Sequence, residues 1–345
     1  MVDAVITGEP MNPRRPLNAN NGDGISVVIP TYNSAAVLSD AIDSVLAQTH
    51  PPDELIVIDD GGDDDTESIC RRYRGAIRYV RQDNAGASAA RNHGAAIARC
   101  RWLAFLDADD LWAPDKLARQ RAALAQNPEA DFCVTAACVW SAAGRRYIRM
   151  AWTGSLDPVE MTRQLLVRNI LTGSCSSMVV RADVFASVGG FAQGKAAEDR
   201  RLTIDLLRRY RGLILPDALV NQRPGPAHWS DPERHRREMI ALIDDYADLL
   251  VKLDPSGRLR RRAVARMHER TGMHYLENGD LRTAARHLTR AALLDPRLAN
   301  PWRVLINACL GRWRRPTAAA PQAVASATPE PTVAPTPVGE PGARL

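Results

Sequence analysis

No Cys-x-x-Cys pair and no zinc-type cysteine–histidine spacing occurs among Cys70, Cys100, Cys133, Cys138, Cys175 and Cys309. Neither a structural zinc nor a disulfide framework is supported, and a reducing compartment is the simplest home. No stretch approaches the roughly 18 uninterrupted apolar residues of a membrane span, and the polar first 24 residues hold no apolar core of signal-peptide length. A soluble or peripheral protein is expected, cytoplasmic or at the inner face of a membrane. Neither G-x-G-x-x-G nor G-x-x-x-x-G-K-S/T follows any apolar run, which removes the two commonest glycine-rich phosphate cradles. No DNA- or RNA-reading motif is present, so nucleic acid is not expected as a partner.

What is present is enough chain for about two domains, 345 residues, with an uneven charge. The net charge is +5, but residues 258–315 hold 14 Arg and no Lys against four acids, which is +10 and leaves −5 for the rest. Such a basic surface suits an anionic membrane face, a partner protein or plain solvation. Residues 316–345 are rich in Pro, Ala and Thr and should be disordered, as should a leader of residues 1–24.

Between these ends the pattern is α/β. The apolar run at residues 25–29 stops at Pro30-Thr31-Tyr32-Asn33, a helix capped by Asn33 or Ser34 follows to Pro51-Pro52, and a second apolar run at 54–58 closes on Asp59-Asp60. This β-α-β unit implies a right-handed crossover and a parallel sheet. Asp59 and Asp60 stand at a strand end, where open α/β sheets bind ligands, while Asp63 to Asp65 read as a solvated turn and helix cap. A short helix (66–73), a strand (76–80) and a helix through Ile97 come next. In that last helix Arg91 lies among alanines, as a surface residue or as a partner for a diphosphate.

Residues 103–110 read LAFLDADD. An apolar run ending in three carboxylates is costly unless a cation meets them, so Asp107, Asp109 and Asp110 mark either a site for Mg²⁺ or Mn²⁺, completed by substrate phosphates, or a helix cap. Farther on, residues 131–140 and 145–152 alternate like paired strands around Ala143-Gly144, 158–168 reads as a helix and 175–180 as a strand. Helices are expected at 181–188 and 200–210.

Taken together, ISVVIPTYN, ELIVIDDGGDDDT, NAGASAARNHGAAIA and WLAFLDADDLWAPDKL resemble, in order and separation, the nucleotide-binding half of family 2 glycosyltransferases. The resemblance covers roughly residues 25–230. It implies a GT-A fold: a Rossmann-like, mostly parallel sheet with flanking helices, here followed by an α-helical region. It also implies inverting transfer of a sugar from a nucleotide diphosphate donor, UDP-linked first, with a divalent metal. Carried over by position, Pro30, Thr31 and Tyr32 surround the nucleobase, Asp60 accepts hydrogen bonds from it, and Arg91 lies near the diphosphate. Asp109 is the direct metal ligand, and Asp107 serves the ribose or the metal's waters. Gly189-Gly190-Phe191 followed by Glu198-Asp199 matches the family's catalytic segment, which makes Asp199 the general base and gives Glu198 to the acceptor. Those two acids also suit a helix N-terminus on dipole grounds alone. The acidic pair usual between Phe191 and Glu198 is missing. The loop at 219–230 resembles the family's Arg/His/Ser loop, with His228 a further metal ligand and Trp229 a sugar platform or a core anchor.

Helices are expected at 233–252, 258–278, 280–294 and 299–310. Gly272, Tyr275, Ala284, Leu288, Ala291 and Pro296 stand at the spacing of one tetratricopeptide repeat, which cannot bury its own faces alone. The expected organisation is therefore a leader (1–24), a glycosyltransferase domain (25–230; donor half 25–112, acceptor half 113–230), a helical region (231–315) and a tail (316–345). The competing reading is a catalytically inactive nucleotide-sugar-binding scaffold that recruits a partner or an anionic membrane through its Arg-rich helices.

Overall fold

Alternate residues of the first long strand serve two different cores. Val28 packs with Ile56, Ile58, Phe105, Phe132 and Phe191 on one face of a sheet, while Ile25, Val27 and Ile29 pack with Leu38, Ile42, Leu55 and Val57 on the other. A strand buried on both faces is what the continuous apolar runs imply. The computed structural model describes residues 4–6, 23–140, 146–149, 157–168, 170, 174–223, 231–298 and 304. Expectations for the rest of the leader, for His228 and Trp229, for the helix at 299–310 and for the tail fall outside the described residues.

In chain order the first elements are β1 (Ala4–Ile6), β2 (Ile25–Thr31), α1 (Ala35–Leu46), β3 (Glu54–Asp59), α2 (Thr66–Arg72), β4 (Arg78–Arg81), α3 (Ala87–Ile97), β5 (Trp102–Phe105), β6 (Asp110–Trp112) and α4 (Lys116–Gln126). The second part adds β7 (Phe132–Trp140), β8 (Arg146–Arg149), α5 (Pro158–Val167), a 3₁₀ turn (Ser174–Ser177), β9 (Val179–Arg181), α6 (Ala182–Ser187), α7 (Glu198–Leu207) and β10 (Gly212–Gln222). Four helices close the described chain: α8 (Pro232–Asp245), α9 (Ala247–Leu253), α10 (Arg258–Glu277) and α11 (Leu281–Leu294).

The strands form one mixed sheet in the order β1-β10-β7-β9-β5-β2-β3-β4, with β6 paired to β10 and β8 to β7. Its half made of β5, β2, β3 and β4 is parallel, in the register Val28↔Phe105 and Val28↔Ile56. That register ends β2, β3 and β5 side by side, so Thr31, Asp59 and the LDADD segment share one crevice at the carboxyl edge. Helix α3 lies close over β2 because Gly94 has no side chain: a Cβ there would meet Val28 Cγ1 at 2.3 Å. The hairpin of β7 and β8 forms as expected. No helix among the described residues is long and apolar enough to cross a membrane.

Several expectations give way to tertiary contacts. Residues 4–6, within the expected leader, pair antiparallel with β10. Helix α1 has Ser34, one of the two expected residues, at its N-cap, but that side chain makes no capping hydrogen bond. The first free N–H of the helix, of Ala35, donates to Asp64 Oδ2 at 2.7 Å, while Asp64 Oδ1 accepts from the Thr66 N–H and hydroxyl. The expected strand at 175–180 is mostly a 3₁₀ turn, and only Val179–Arg181 pair. The expected helix over 233–252 breaks at Tyr246, whose buried ring sends its hydroxyl to the Arg201 carbonyl at 3.3 Å.

Lys116 is fully buried without a carboxylate partner among the described residues. Its Nζ donates to Gln120 Oε1 at 2.7 Å and sits 3.9 Å from the Trp112 ring centroid. Burial pushes the amine down to about 7. The unfolded chain then holds the extra proton between pH 7 and its ordinary 10.5, so native stability rises with pH across that window. Lys116→Met should stabilise the protein by roughly 1–3 kcal/mol at or below pH 7, with the gain fading toward pH 10. Urea titrations at pH 6, 8 and 10 check this; equal gains at all three contradict it.

Candidate active site

At the end of β3 the two acids are committed to different tasks. Asp59 is fully buried, and its Oδ2 accepts from Tyr79 at 2.6 Å and from Arg81 at 2.7 Å. Asp60 gathers the loop before α3: Oδ1 accepts from Gln82 Nε2 (2.7 Å) and the Ala85 N–H (2.9 Å), and Oδ2 from the Gly86 N–H (2.8 Å). A carboxylate offers about four acceptor positions, so three internal bonds leave room for one more donor. Beside it Pro30 and Thr31 are buried in β2, the Thr31 hydroxyl has no partner among the described residues, and Tyr32 is 52 % exposed. The acidic loop is pinned rather than loose. Asn33, itself in the left-handed region at φ 50°, accepts from the Asp63 N–H at 2.9 Å, and Gly61 turns at φ 78° where a Cβ would lie 2.9 Å from the Asn84 nitrogen.

The LDADD segment is held from below by the 3₁₀ turn. Ser176 Oγ accepts from the Asp107 N–H (3.1 Å) and donates to Asp110 Oδ2 (2.7 Å), and the Ser176 carbonyl accepts from Trp112 Nε1 (2.9 Å). These contacts explain why 174–177 winds up instead of extending. Asp110 is buried, and burial together with the charges of Asp107 and Asp109 holds its carboxyl well above the usual carboxylate range. Asp107 stays partly open and Asp109 is exposed.

Across the crevice, Gly189 and Gly190 turn at φ 87° and 68°. Asn92 clasps the next residue in both directions, donating to the Phe191 carbonyl at 2.8 Å and accepting its N–H at 2.9 Å. The Phe191 ring packs with Phe105 and Phe185 at centroid distances of 5.0 and 5.4 Å. The chain then reaches Ala197, a non-glycine residue at φ 56°, and enters α7 with Glu198 and Asp199 in the first turn. Asp199 Oδ1 accepts from the Arg200 N–H at 2.7 Å.

Arg91 joins the two sides. Its Nη2 donates to Asp107 Oδ1 at 2.5 Å and its Nη1 to Glu198 Oε1 at 3.2 Å, with the guanidinium 5.3 Å from the Phe191 centroid and 6 % exposed. Burial opposes its charge, but Asp107 and Glu198 outweigh that and hold it protonated. Cys175, also fully buried, lies among these charges, and burial pushes its thiol well up. The structure thus brings Asp107, Arg91, Glu198 and Cys175 together, with Asp109 and Asp199 on the same segments. Ser176 and Asn92 are supports that carried no assignment in the sequence; the one hint was that Asn92 follows Arg91.

The donor set fits a divalent cation. Asp107 and Asp109 offer hard oxygens at a strand end crowded with acid, and buried Arg91, paired to Asp107, is shared with Glu198. Among the described residues no group of three or more His, Cys, Asp or Glu gathers as a metal cage.

This sheet, its flanking helices and the helices that follow form a GT-A-like α/β fold. Residues 26–189 match the family model described as Glycosyl transferase family 2. A relative from Bacillus subtilis, described as a putative teichuronic acid biosynthesis glycosyltransferase, is 34 % identical over 168 residues, 46 % of this chain and 62 % of its own length. An uncharacterized glycosyltransferase of Haemophilus influenzae is 28 % identical over 188 residues, 53 % of this chain and again 62 % of its own length. Among solved structures, Staphylococcus aureus TarS 1–349 in complex with UDP-GlcNAc aligns with a TM-score of 0.54 and 18 % identity over 78 % of this chain and 91 % of that one. The mannosyltransferase PcManGT of Pyrobaculum calidifontis, in complex with GDP-Man and Mn²⁺, aligns with a TM-score of 0.54 and 20 % identity over 88 % and 85 % of the two chains.

Proposed function

We propose that this chain is an inverting glycosyltransferase that moves a hexose from a nucleoside diphosphate donor, UDP-linked first, to an acceptor hydroxyl in the making of a polysaccharide or glycoconjugate. The observation that carries this reading is the Arg91 guanidinium, which binds Asp107 at the end of β5 and Glu198 in the first turn of α7, with Asp109 and Asp199 on those same two segments. Asp199 takes the proton of the acceptor hydroxyl as that oxygen attacks the anomeric carbon, and the bond to the diphosphate breaks on the opposite side. Glu198 orients the acceptor, and Trp229 adds a surface for it. Tyr32 stacks on the base, with Pro30 and Thr31 around it and the spare acceptor position of Asp60 on its edge. Asp109 and Asp107, with His228, would hold a divalent cation, whose positive charge would favour the departure of the diphosphate. Helices α10 and α11, where Gly272 lets Leu288 approach, serve as one tetratricopeptide-like pair.

The test is isothermal titration of the full chain with UDP, GDP and dTDP, each with Mn²⁺ and with EDTA. The expected result is binding of one nucleotide that EDTA abolishes; a folded protein that binds none of them overturns the donor site. A second reading, the inactive scaffold, draws on α11, where exposed Arg282, Arg286 and Arg290 recur every four residues beside Leu293, 71 % exposed. A donor that binds but is never hydrolysed or transferred moves the weight there.

A further inference from the structure

We infer that Arg91 is a positioning residue that couples the donor side of the site to the acceptor side, so that a change at Glu198 is felt at Asp107. This rests on the reading of the crevice as a glycosyltransferase site. The observation is a single guanidinium, 6 % exposed, with one nitrogen on Asp107 Oδ1 at 2.5 Å and another on Glu198 Oε1 at 3.2 Å. The two acids are 91 positions apart in the chain and stand on different segments, the end of β5 and the first turn of α7. Both keep part of their surface, 23 % and 28 %, so each has a side left for a ligand.

The surroundings fix Arg91 in this posture. Its ring neighbour Phe191 is clasped through backbone atoms by Asn92, the next residue on α3, and helix α3 is seated on β2 through Gly94. A Cβ on Gly190 would come within 2.6 Å of Asn92 Oδ1, so that clasp depends on a glycine. The guanidinium is planar and rigid, so two of its nitrogens set the separation of the two acids, which a flexible ammonium does not do. Its positive charge is divided between them. Replacing Glu198 by Gln removes a negative charge that offsets Arg91, so the positive charge beside Asp107 is less compensated and a cation at Asp107 is held less tightly. By linkage the coupling runs both ways: a cation that draws on Asp107 frees Arg91 toward Glu198 and steadies the first turn of α7.

The test reads Mn²⁺ binding by electron paramagnetic resonance, alone and with UDP, in the full chain and in Glu198→Gln, Arg91→Lys and Arg91→Met. Glu198 is partly exposed, so Glu198→Gln should fold even where the Arg91 variants do not. The expected result is a fall in Mn²⁺ affinity of about fivefold or more in Glu198→Gln, a residue not assigned to the metal. In the Arg91→Met background the Glu198→Gln change should then have no further effect. Unchanged Mn²⁺ affinity in Glu198→Gln overturns the inference. So does a loss of UDP affinity in Arg91→Lys with Mn²⁺ affinity kept, which makes the guanidinium a diphosphate ligand instead. A wild-type chain that binds Mn²⁺ and UDP yet never transfers a sugar removes the proposed function while leaving the coupling measurable. One that binds neither removes both.

Discussion

Asp199→Asn should lower sugar transfer by on the order of 10²–10⁴ while leaving donor binding intact. The carbonyl oxygen of Asn can keep the bond from the Arg200 N–H, so the first turn of α7 is preserved. On the proposed mechanism, what is lost is the ability to take a proton from the acceptor hydroxyl. The measurement pairs turnover with nucleotide titration and far-ultraviolet circular dichroism on the same preparation. Near-normal turnover removes Asp199 from the chemistry. A joint loss of turnover and nucleotide binding shows that the residue acts on the donor side instead. Asp109→Ala gives the contrast, since there turnover and the metal dependence of binding should fall together.

Asp60→Asn should be damaging for a different reason. Both carboxylate oxygens accept backbone N–H groups, from Ala85 on one side and Gly86 on the other. Whichever way an Asn amide turns, its nitrogen faces a donor, in a position only 2 % exposed. The expected cost is about 2–3 kcal/mol of stability, from one opposed and one weakened hydrogen bond. The loop leading into α3 should shift with it and weaken nucleotide binding by roughly tenfold or more, since one lost buried bond is worth that much. Thermal unfolding and nucleotide titration check the two parts. Unchanged stability contradicts the geometry at Asp60, and intact affinity in a destabilised protein contradicts its place at the base.

The layout of the parallel half was legible because it rests on local rules. Apolar runs of strand length, a helix between them and acids at strand ends place β2, β3, β5 and the crevice without any knowledge of distant contacts. The hairpin of β7 and β8 was legible for the same reason. Beyond these, the outcome depended on partners far away in the chain. The side chain that accepts from the first N–H of α1 is Asp64, 29 positions on from Ala35, which no local search at Asn33 or Ser34 finds. The expected strand 175–180 is wound at 174–177 by Trp112, Asp107 and Asp110, whose demands cannot be read from the segment's own residues. The break at Tyr246 answers to Arg201, 45 positions earlier. At the site, the residue types of Arg91, Asp107 and Glu198 were legible and their mutual pairing was not.

The pinned loop after β3 has a thermodynamic consequence. Asp64 ties it to the start of α1, Asn33 holds Asp63, and Arg81 reaches the Gly62 carbonyl at 2.7 Å. Its conformational entropy is therefore surrendered when the chain folds, not when a ligand arrives. On the proposed reading, a nucleotide meeting this end of the crevice finds its walls already set, so binding of the base should proceed with little ordering of this loop, and selectivity among bases should follow the fixed shape of the walls.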